Sequence, residues 1–407
     1  MTGVTTLHRV RSLDSLHRKI KGRKQIKRIA VTARPPVEKA LLVGVEIKGE
    51  RNGWSLEGSV EELGQLARTA GAAVVGSMTQ RLAAPTPAYY IGKGKLEELA
   101  SLRGKVGYNL VIFDDELTPA QQRNLEQVLD VKVIDRTTLI LDIFARRART
   151  HEGRLQVELA QQEYLLPRLA RRWPHLERLG AGIGTRGPGE TQLETDRRLI
   201  QRRIQRLKGE IEAMRKHRAL YRRRRSEQGI PVVALVGYTN AGKSTLLNSL
   251  SNADVLVESK LFATLDPTTR RLTLPDNKLV LFTDTVGFIQ KLPPTLVAAF
   301  RATLEELAEA NLLLLVVDIA SETAAQQCHT VEDMLEDLSL TDKPRLIALN
   351  KIDLLAGEVK PSDEEAVLKY IDQIGTRVKT AALISAAKGW GLKRMLELVA
   401  EKLDNRQ

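Results

Sequence analysis

The chain has 407 residues and a formal net charge of +13, with 43% hydrophobic and 28% charged residues. That length suits two or three domains with sizeable cores. The single cysteine, Cys328, excludes an internal disulfide framework and suits a reducing cytosol, so a cytoplasmic protein is expected. The basic N-terminus is followed by no apolar core, which reads as no signal peptide. The longest apolar run, Leu312 to Val317, is the length of a strand and too short to cross a membrane.

The charge is unevenly placed. The first 228 residues carry 44 Lys+Arg against 26 Asp+Glu, while the rest carry 19 against 24. An excess of that size on one half points to a polyanion, with nucleic acid favoured over a merely solubilising surface.

Residues 1–38 are polar and basic, end in "ARPP", and read as a flexible arm. An alternation follows. "LLVGVEI" (41–47) predicts a buried strand. "SVEELGQLARTAG" predicts a helix, with Ser59 as its cap and a closing glycine. "AAVVGSM" predicts a strand, "GKGKLEELASL" a turn into a helix and "NLVIFDD" a strand. "TPAQQRNLEQVLD" predicts a helix opened by proline, and "VKVIDR" the last strand. This pattern predicts a small α/β domain over 39–136.

Residues 137–228 read as helical. Leu155, Leu159, Gln162 and Leu166 share one face, as do Ile200, Ile204, Leu207, Ile211 and Met214. Joined by a glycine-rich loop (180–191), the two helices predict an antiparallel hairpin. Gly229 and Pro231 mark the start of a second α/β domain, 229–407, with a mostly parallel sheet.

"VVALVGYTNAGKSTLLNSL" has the order strand, glycine loop, helix. Gly237, Gly242, Lys243 and Ser244 fit the phosphate-loop pattern, whose backbone amides close round phosphates at a helix N-terminus. Tyr238, Thr239, Asn240, Ala241 and Thr245 complete the candidate phosphate-binding stretch. Lys243 would reach the β- and γ-phosphates, and Ser244 would bind Mg²⁺. "KLVLFTDTVGF" ends a strand at Asp284, Thr285, Val286 and Gly287. Asp284 can hold Mg²⁺ through water, and the Gly287 N–H can sense the γ-phosphate. "RLIALNKIDLL" ends a strand at Asn350, Lys351, Ile352 and Asp353. A carboxylate at Asp353 accepts from guanine N1–H and the 2-amino group, whereas adenine would leave it unpaired. Lys351 would lie over the base and Asn350 would tie loops together. The backbone of Ser385, Ala386 and Ala387 can contact the guanine oxygen. GTP or GDP with Mg²⁺ is therefore the expected ligand.

These four motifs, in this order, resemble the translation-factor-related P-loop GTPases. By that resemblance Thr264, in the stretch Phe262, Ala263, Thr264, Leu265 and Asp266, is the switch threonine that closes on Mg²⁺ and the γ-phosphate; Thr268 is the runner-up. Lys243, Thr264 and Gly287 are the candidate catalytic residues. Ras-like enzymes have a water-orienting glutamine after the glycine, but Phe288 cannot orient water. Slow intrinsic hydrolysis, raised by a partner, is expected. Packing under the switch is an equally open role for Phe288.

"GTRGPGETQLETDRR", "FATLDPTTRR", "YYIGKGKLEEL" and "VIFDDELTPAQQRNLE" together resemble the HflX family of ribosome-associated GTPases, over about residues 39–400. The resemblance implies binding to the large ribosomal subunit and separation of stalled or idle ribosomes. It also implies a helical hairpin reaching into ribosomal RNA near the peptidyl-transferase region. A glycine loop backed by arginines can enter a narrow anionic channel, and Asp196 to Arg225 holds 13 Lys+Arg against 3 acids. Some members carry an extension after the GTPase domain; here the chain ends at Gln407, soon after "LKRMLELVAEKLDN".

"GKGK" (92–95) leaves two readings, a second nucleotide site for ATP or a tight turn with its lysines facing RNA. Two other functions compete: an ATP-dependent RNA remodeller using the N-terminal domain, and a non-catalytic anti-association protein in which GTP only sets shape. The even charge of the GTPase part suggests a monomer. A basic chain is compatible with transient membrane association, but no amphipathic anchor stands out.

Overall fold

Two mostly parallel sheets organise the molecule, and their central strands are buried on both faces, as continuous apolar runs rather than alternating ones. The structure is a computed structural model. It describes residues 37–49, 53–169, 188–227, 229–251, 261–262, 264–293, 296–297, 307–355, 359–376, 378 and 380–404. Most of the basic arm, residues 180–187 of the glycine loop and Ala263 lie outside the described residues. The described residues from Glu38 to Asp404 form one compact unit.

The first sheet has the order β2-β1-β3-β4, all parallel. β1 is Lys39–Ile47, β2 Ala73–Leu82, β3 Leu110–Phe113 and β4 Lys132–Asp135. The helices between them are α1 (Leu56–Thr69), α2 (Lys93–Val106) and α3 (Pro119–Leu129). α1 begins one turn earlier than its S-x-x-E pattern suggests. Ser55 is the cap and accepts from the Gly58 amide, because the buried stripe already starts at Leu56. α3 opens with a full capping box between Thr118 and Gln121. Leu41, Val43 and Val45 face α2 and α3, while Ala40 and Leu42 face the α1 side. At "GKGK" the Gly92 amide donates to Gln80 Oε1 at 3.0 Å and Lys95 pairs with Glu98 at 2.9 Å. That turn is filled by the protein's own groups, and nothing there supports a second nucleotide.

α4 (Arg136–Arg147) leads into α5 (His151–Leu165), and α6 is a single helix over Pro188–Glu227. The helix thus begins inside the stretch expected to be loop, at a proline suited to a first helical position. Leu155 and Leu159 of α5 pack on Ile204 and Leu207 of α6, with Leu166, Ile200, Ile211 and Met214 around them. Arg203–Glu158 (2.7 Å), Lys208–Glu163 (2.8 Å) and Arg218–Glu152 (2.6 Å) flank that seam. Arg197, Arg198, Arg202 and Arg206 stay exposed.

The second sheet has the order β10-β9-β8-β5-β7-β6, parallel except for the β6–β7 hairpin. Its strands are β5 (Val232–Gly237), β6 (Thr268–Thr273), β7 (Leu279–Asp284), β8 (Leu312–Asp318), β9 (Arg345–Asn350) and β10 (Ala381–Leu383). α7 (Lys243–Ser251), α8 (Ala324–Asp337), α9 (Glu364–Ile374) and α10 (Leu392–Asp404) complete it. One apolar cluster runs without a break from Leu42, Leu63 and Phe144 to Tyr238, Phe262 and Phe288, joining the two sheets.

Candidate functional site

The C-terminal ends of β5, β7, β8 and β9 share one edge of the sheet, and the segments there bring Ser244 to Asp284 and Asn350 to Ala241. The first loop passes from β5 into α7. At Gly237 a Cβ would lie 2.3 Å from the Val316 carbonyl oxygen, and φ is +152°, so only glycine fits there. Lys243 is buried, and its ammonium donates to the carbonyls of Gly237 (3.0 Å) and Tyr238 (2.7 Å). Burial pushes its pKa down to about 8, and the opposing pull of Asp284 is smaller.

Three oxygens meet beside it. Ser244 Oγ lies 2.7 Å from Thr264 Oγ1, and both donate to Asp284 Oδ2, at 2.6 and 2.8 Å. Asp284 Oδ1 is buried with no partner. Burial raises the Asp284 pKa although Lys243, Ser244 and Thr264 all pull it down. Hydroxyls and a carboxylate around one point, with an unused carboxylate oxygen, are a donor set for a hard divalent cation. Thr268, the alternative to Thr264, instead opens β6 and is exposed.

Asn350 bridges two loops. Its amide donates to the Ala241 carbonyl (2.8 Å) and its oxygen accepts from the Ala386 amide (3.0 Å). Ser385 Oγ donates to Asp353 Oδ1 at 2.6 Å, fixing the carboxylate. Lys351 adopts a left-handed backbone and pairs with Asp318 at 2.6 Å. Ile352 is buried, and Ala387 is exposed.

Three side chains of the switch stretch turn away from this cluster. Phe262 packs edge-on against Phe144 of α4, 4.6 Å between ring centres, and Leu265 is buried in the same core. Asp266 accepts from the amides of Arg149 (2.8 Å) and Thr150 (2.9 Å) and from the Thr150 hydroxyl, at the start of α5. As side chains these three serve the joint with the preceding helices, not the ligand. Phe288 is 2% exposed and lies in the shared core, so it packs.

Sequence reasoning missed the other face of the site, built from the first sheet. Tyr238 donates to Glu62 of α1, accepts from the Gln290 amide (2.9 Å), and stacks on Trp54 at 5.7 Å. Burial and the Glu62 charge raise its pKa. Arg136 is 1% exposed and donates to Glu62 (2.7 Å), Asp114 (2.5 Å) and the Gln290 carbonyl (3.3 Å). Lys291 pairs with Asp114 (2.6 Å) and Asp115 (2.5 Å). Burial pushes the Asp114 carboxyl up, but Arg136 and Lys291 together hold it below its ordinary range. The one available signal was an arginine directly after an apolar strand; its carboxylate partners come from distant elements.

Three family models match in chain order: "GTP-binding GTPase N-terminal" over 57–145, "GTP-binding GTPase Middle Region" over 147–225, and "50S ribosome-binding GTPase" over 232–351. The GTPase HflX of Caldanaerobacter subterraneus is 51% identical, covering 90% of this chain and 81% of that protein. The chain belongs to the HflX family of GTPases. The GTPase HflX of Escherichia coli is 44% identical over 90% of this chain and 83% of its own length. Among solved structures, a GTP-binding protein from Sulfolobus solfataricus in complex with GDP is 24% identical with a TM-score of 0.46, covering 91% of this chain and all of that one. As an HflX GTPase, the protein binds GTP and hydrolyses it to GDP and phosphate. Among the described residues no helix is long and apolar enough to cross a membrane.

Proposed function

We propose that this HflX GTPase is a cytoplasmic factor that binds the large ribosomal subunit through ribosomal RNA and separates or rescues stalled or idle ribosomes. The observation that carries the reading is the contact of Asp266 with the start of α5. The residue lies two positions after the switch threonine, and it accepts from the amides of Arg149 and Thr150, immediately before one arm of the basic hairpin. Whatever moves the switch stretch on hydrolysis is felt at the base of that hairpin. The exposed arginines of α6 would meet RNA phosphates, and such contacts weaken steeply with salt.

In this reading Lys243 and the amides of the phosphate loop hold the phosphates, and Asp353 selects guanine. Ser244, Thr264 and Asp284 fit Mg²⁺, which would neutralise charge on the β- and γ-phosphates. The Gly287 amide senses the γ-phosphate. Since Phe288 offers no polar group, intrinsic hydrolysis is slow and the ribosome raises it.

The test is GTP hydrolysis with and without purified large subunits at two salt concentrations, with Lys243→Ala as control. A large, salt-sensitive stimulation is expected. No stimulation of a nucleotide-loaded protein would overturn the reading.

A further inference from the structure

The packed position of Phe288 leaves the attacking water without an obvious partner, and the phosphate loop itself carries an unused one. Thr239 is 5% exposed, and its hydroxyl oxygen is buried with no hydrogen-bond partner. A buried hydroxyl left unpaired costs about 1–3 kcal/mol, so a site that keeps one is built to satisfy it with something else.

Its position narrows what that is. A Cβ built on Gly287 would fall 2.9 Å from Thr239 Cα, 3.0 Å from its Cγ2 and 3.0 Å from the Lys243 ammonium. Thr239 therefore lies against Gly287 and Lys243, its methyl group towards Gly287, beside the point where Lys243 and the Gly287 amide would meet the terminal phosphate. The crowding also requires glycine at 287. The Thr239 amide donates to the Phe288 carbonyl at 2.7 Å, and the Phe288 amide donates to the Gly237 carbonyl at 3.1 Å. These bonds tie the residue to the segment that follows Gly287. Thr239 also lines an open cleft with Trp54, Glu61, Asn240 and Glu322.

We propose that Thr239 is a further catalytic residue of GTP hydrolysis. Its hydroxyl accepts a hydrogen bond from the attacking water and donates a hydrogen bond to a γ-phosphate oxygen, keeping its proton. The water oxygen bonds to the γ-phosphorus, and the bond from that phosphorus to the β–γ bridging oxygen breaks. The electron pair leaves with GDP, and the water proton passes to a γ-phosphate oxygen, giving inorganic phosphate. The threonine orients and is not consumed.

The inference rests on GTP hydrolysis and not on ribosome binding, so its test contains no ribosomes. Thr239→Val keeps the shape and removes the hydroxyl; Thr239→Ser keeps the hydroxyl. Single-turnover hydrolysis and the affinity for a fluorescent GTP analogue are measured for both, with melting temperature as a folding check. Thr239→Val is expected to slow hydrolysis about tenfold to a hundredfold, with affinity held within about twofold, and Thr239→Ser to stay within about threefold of the native rate. Native hydrolysis in Thr239→Val overturns the proposal. So does a Thr239→Ser rate as low as that of Thr239→Val, which would show that shape and not the hydroxyl matters. If Thr239→Val does not fold, the serine variant decides alone: a rate near native supports the role, and a tenfold loss overturns it.

Discussion

The two sheets pose the same opportunity and answer it differently. The C-terminal edge of a parallel sheet is a natural ligand site, because loops leave it and helix N-termini point at it. In the GTPase half that edge carries glycines, Lys243 and Asp284, whose second carboxylate oxygen has no protein partner. In the first half it carries Asp114 and Asp135, which the protein pairs from within, and Asp115, whose Oδ1 meets Lys291 while its Oδ2 has no partner. Arg136 and Lys291 occupy Asp114, while Tyr164, Thr138, Arg168 and the Leu117 amide occupy Asp135. One edge receives a nucleotide and the other receives the nucleotide domain. A parallel sheet edge thus serves as a joint as readily as a pocket, and the polarity of what it meets decides which.

The largest effect should come from breaking the filled edge. Arg136→Ala strands Glu62 and Asp114 in the core, and unfolding by denaturant should show a loss of about 3–5 kcal/mol. Comparable loss is not expected from Lys291→Ala, whose side chain is partly exposed. Next comes the open edge. Asp353→Asn removes the acceptor for two guanine donors, and titration should show GTP affinity reduced about thirtyfold to a hundredfold while the discrimination against ATP shrinks. At the joint between the two edges lies Asp266→Ala, which removes the acceptor of the Arg149 and Thr150 amides just before α5, a helix that Thr150 itself caps. A loss of about 1 kcal/mol in stability is expected, and hydrogen exchange should rise at the amides of Arg149 and Thr150. Unchanged exchange there would remove the physical link on which the ribosome reading rests.

The smallest effect is on pH. Free Lys243 titrates at about 8, and bound phosphates favour its charged form. Binding is therefore coupled to proton uptake above that value: the affinity is full below pH 8 and falls as pH rises through it. From pH 7 to pH 8.5 a loss of about fourfold in GTP affinity is expected. Calorimetry in two buffers of different ionisation enthalpy should show the uptake directly, and a pH-independent affinity would mean that the lysine is charged without the ligand.

The nucleotide edge was legible because its chemistry is local. "GYTNAGKST", "DTVG", "NKID" and "SAA" each place the needed atoms within a few residues. The filled edge was not legible because each of its charges reads as ordinary surface. Glu62 sits in "SVEELG", where it looks like an acid in a first helical turn, and Arg136 looks like the end of a strand. Only tertiary partners far apart in sequence make them a buried network. Ser59 misled for the same reason: its spacing to Glu62 imitates a capping box, yet it is buried and donates to Asp114 at 2.6 Å. Phe262, Leu265 and Asp266 are adjacent to the switch threonine in sequence, but adjacency does not say which way side chains point.

The unbroken apolar cluster bears on modularity. A fragment beginning at Gly229 would carry Phe262, part of the Phe288 surroundings and the Tyr238 ring into water, together with a lysine and a phenol separated from their acids. Such a surface invites self-association. The two halves are a fitted pair, and neither can be exchanged for a generic counterpart without recutting the seam between them.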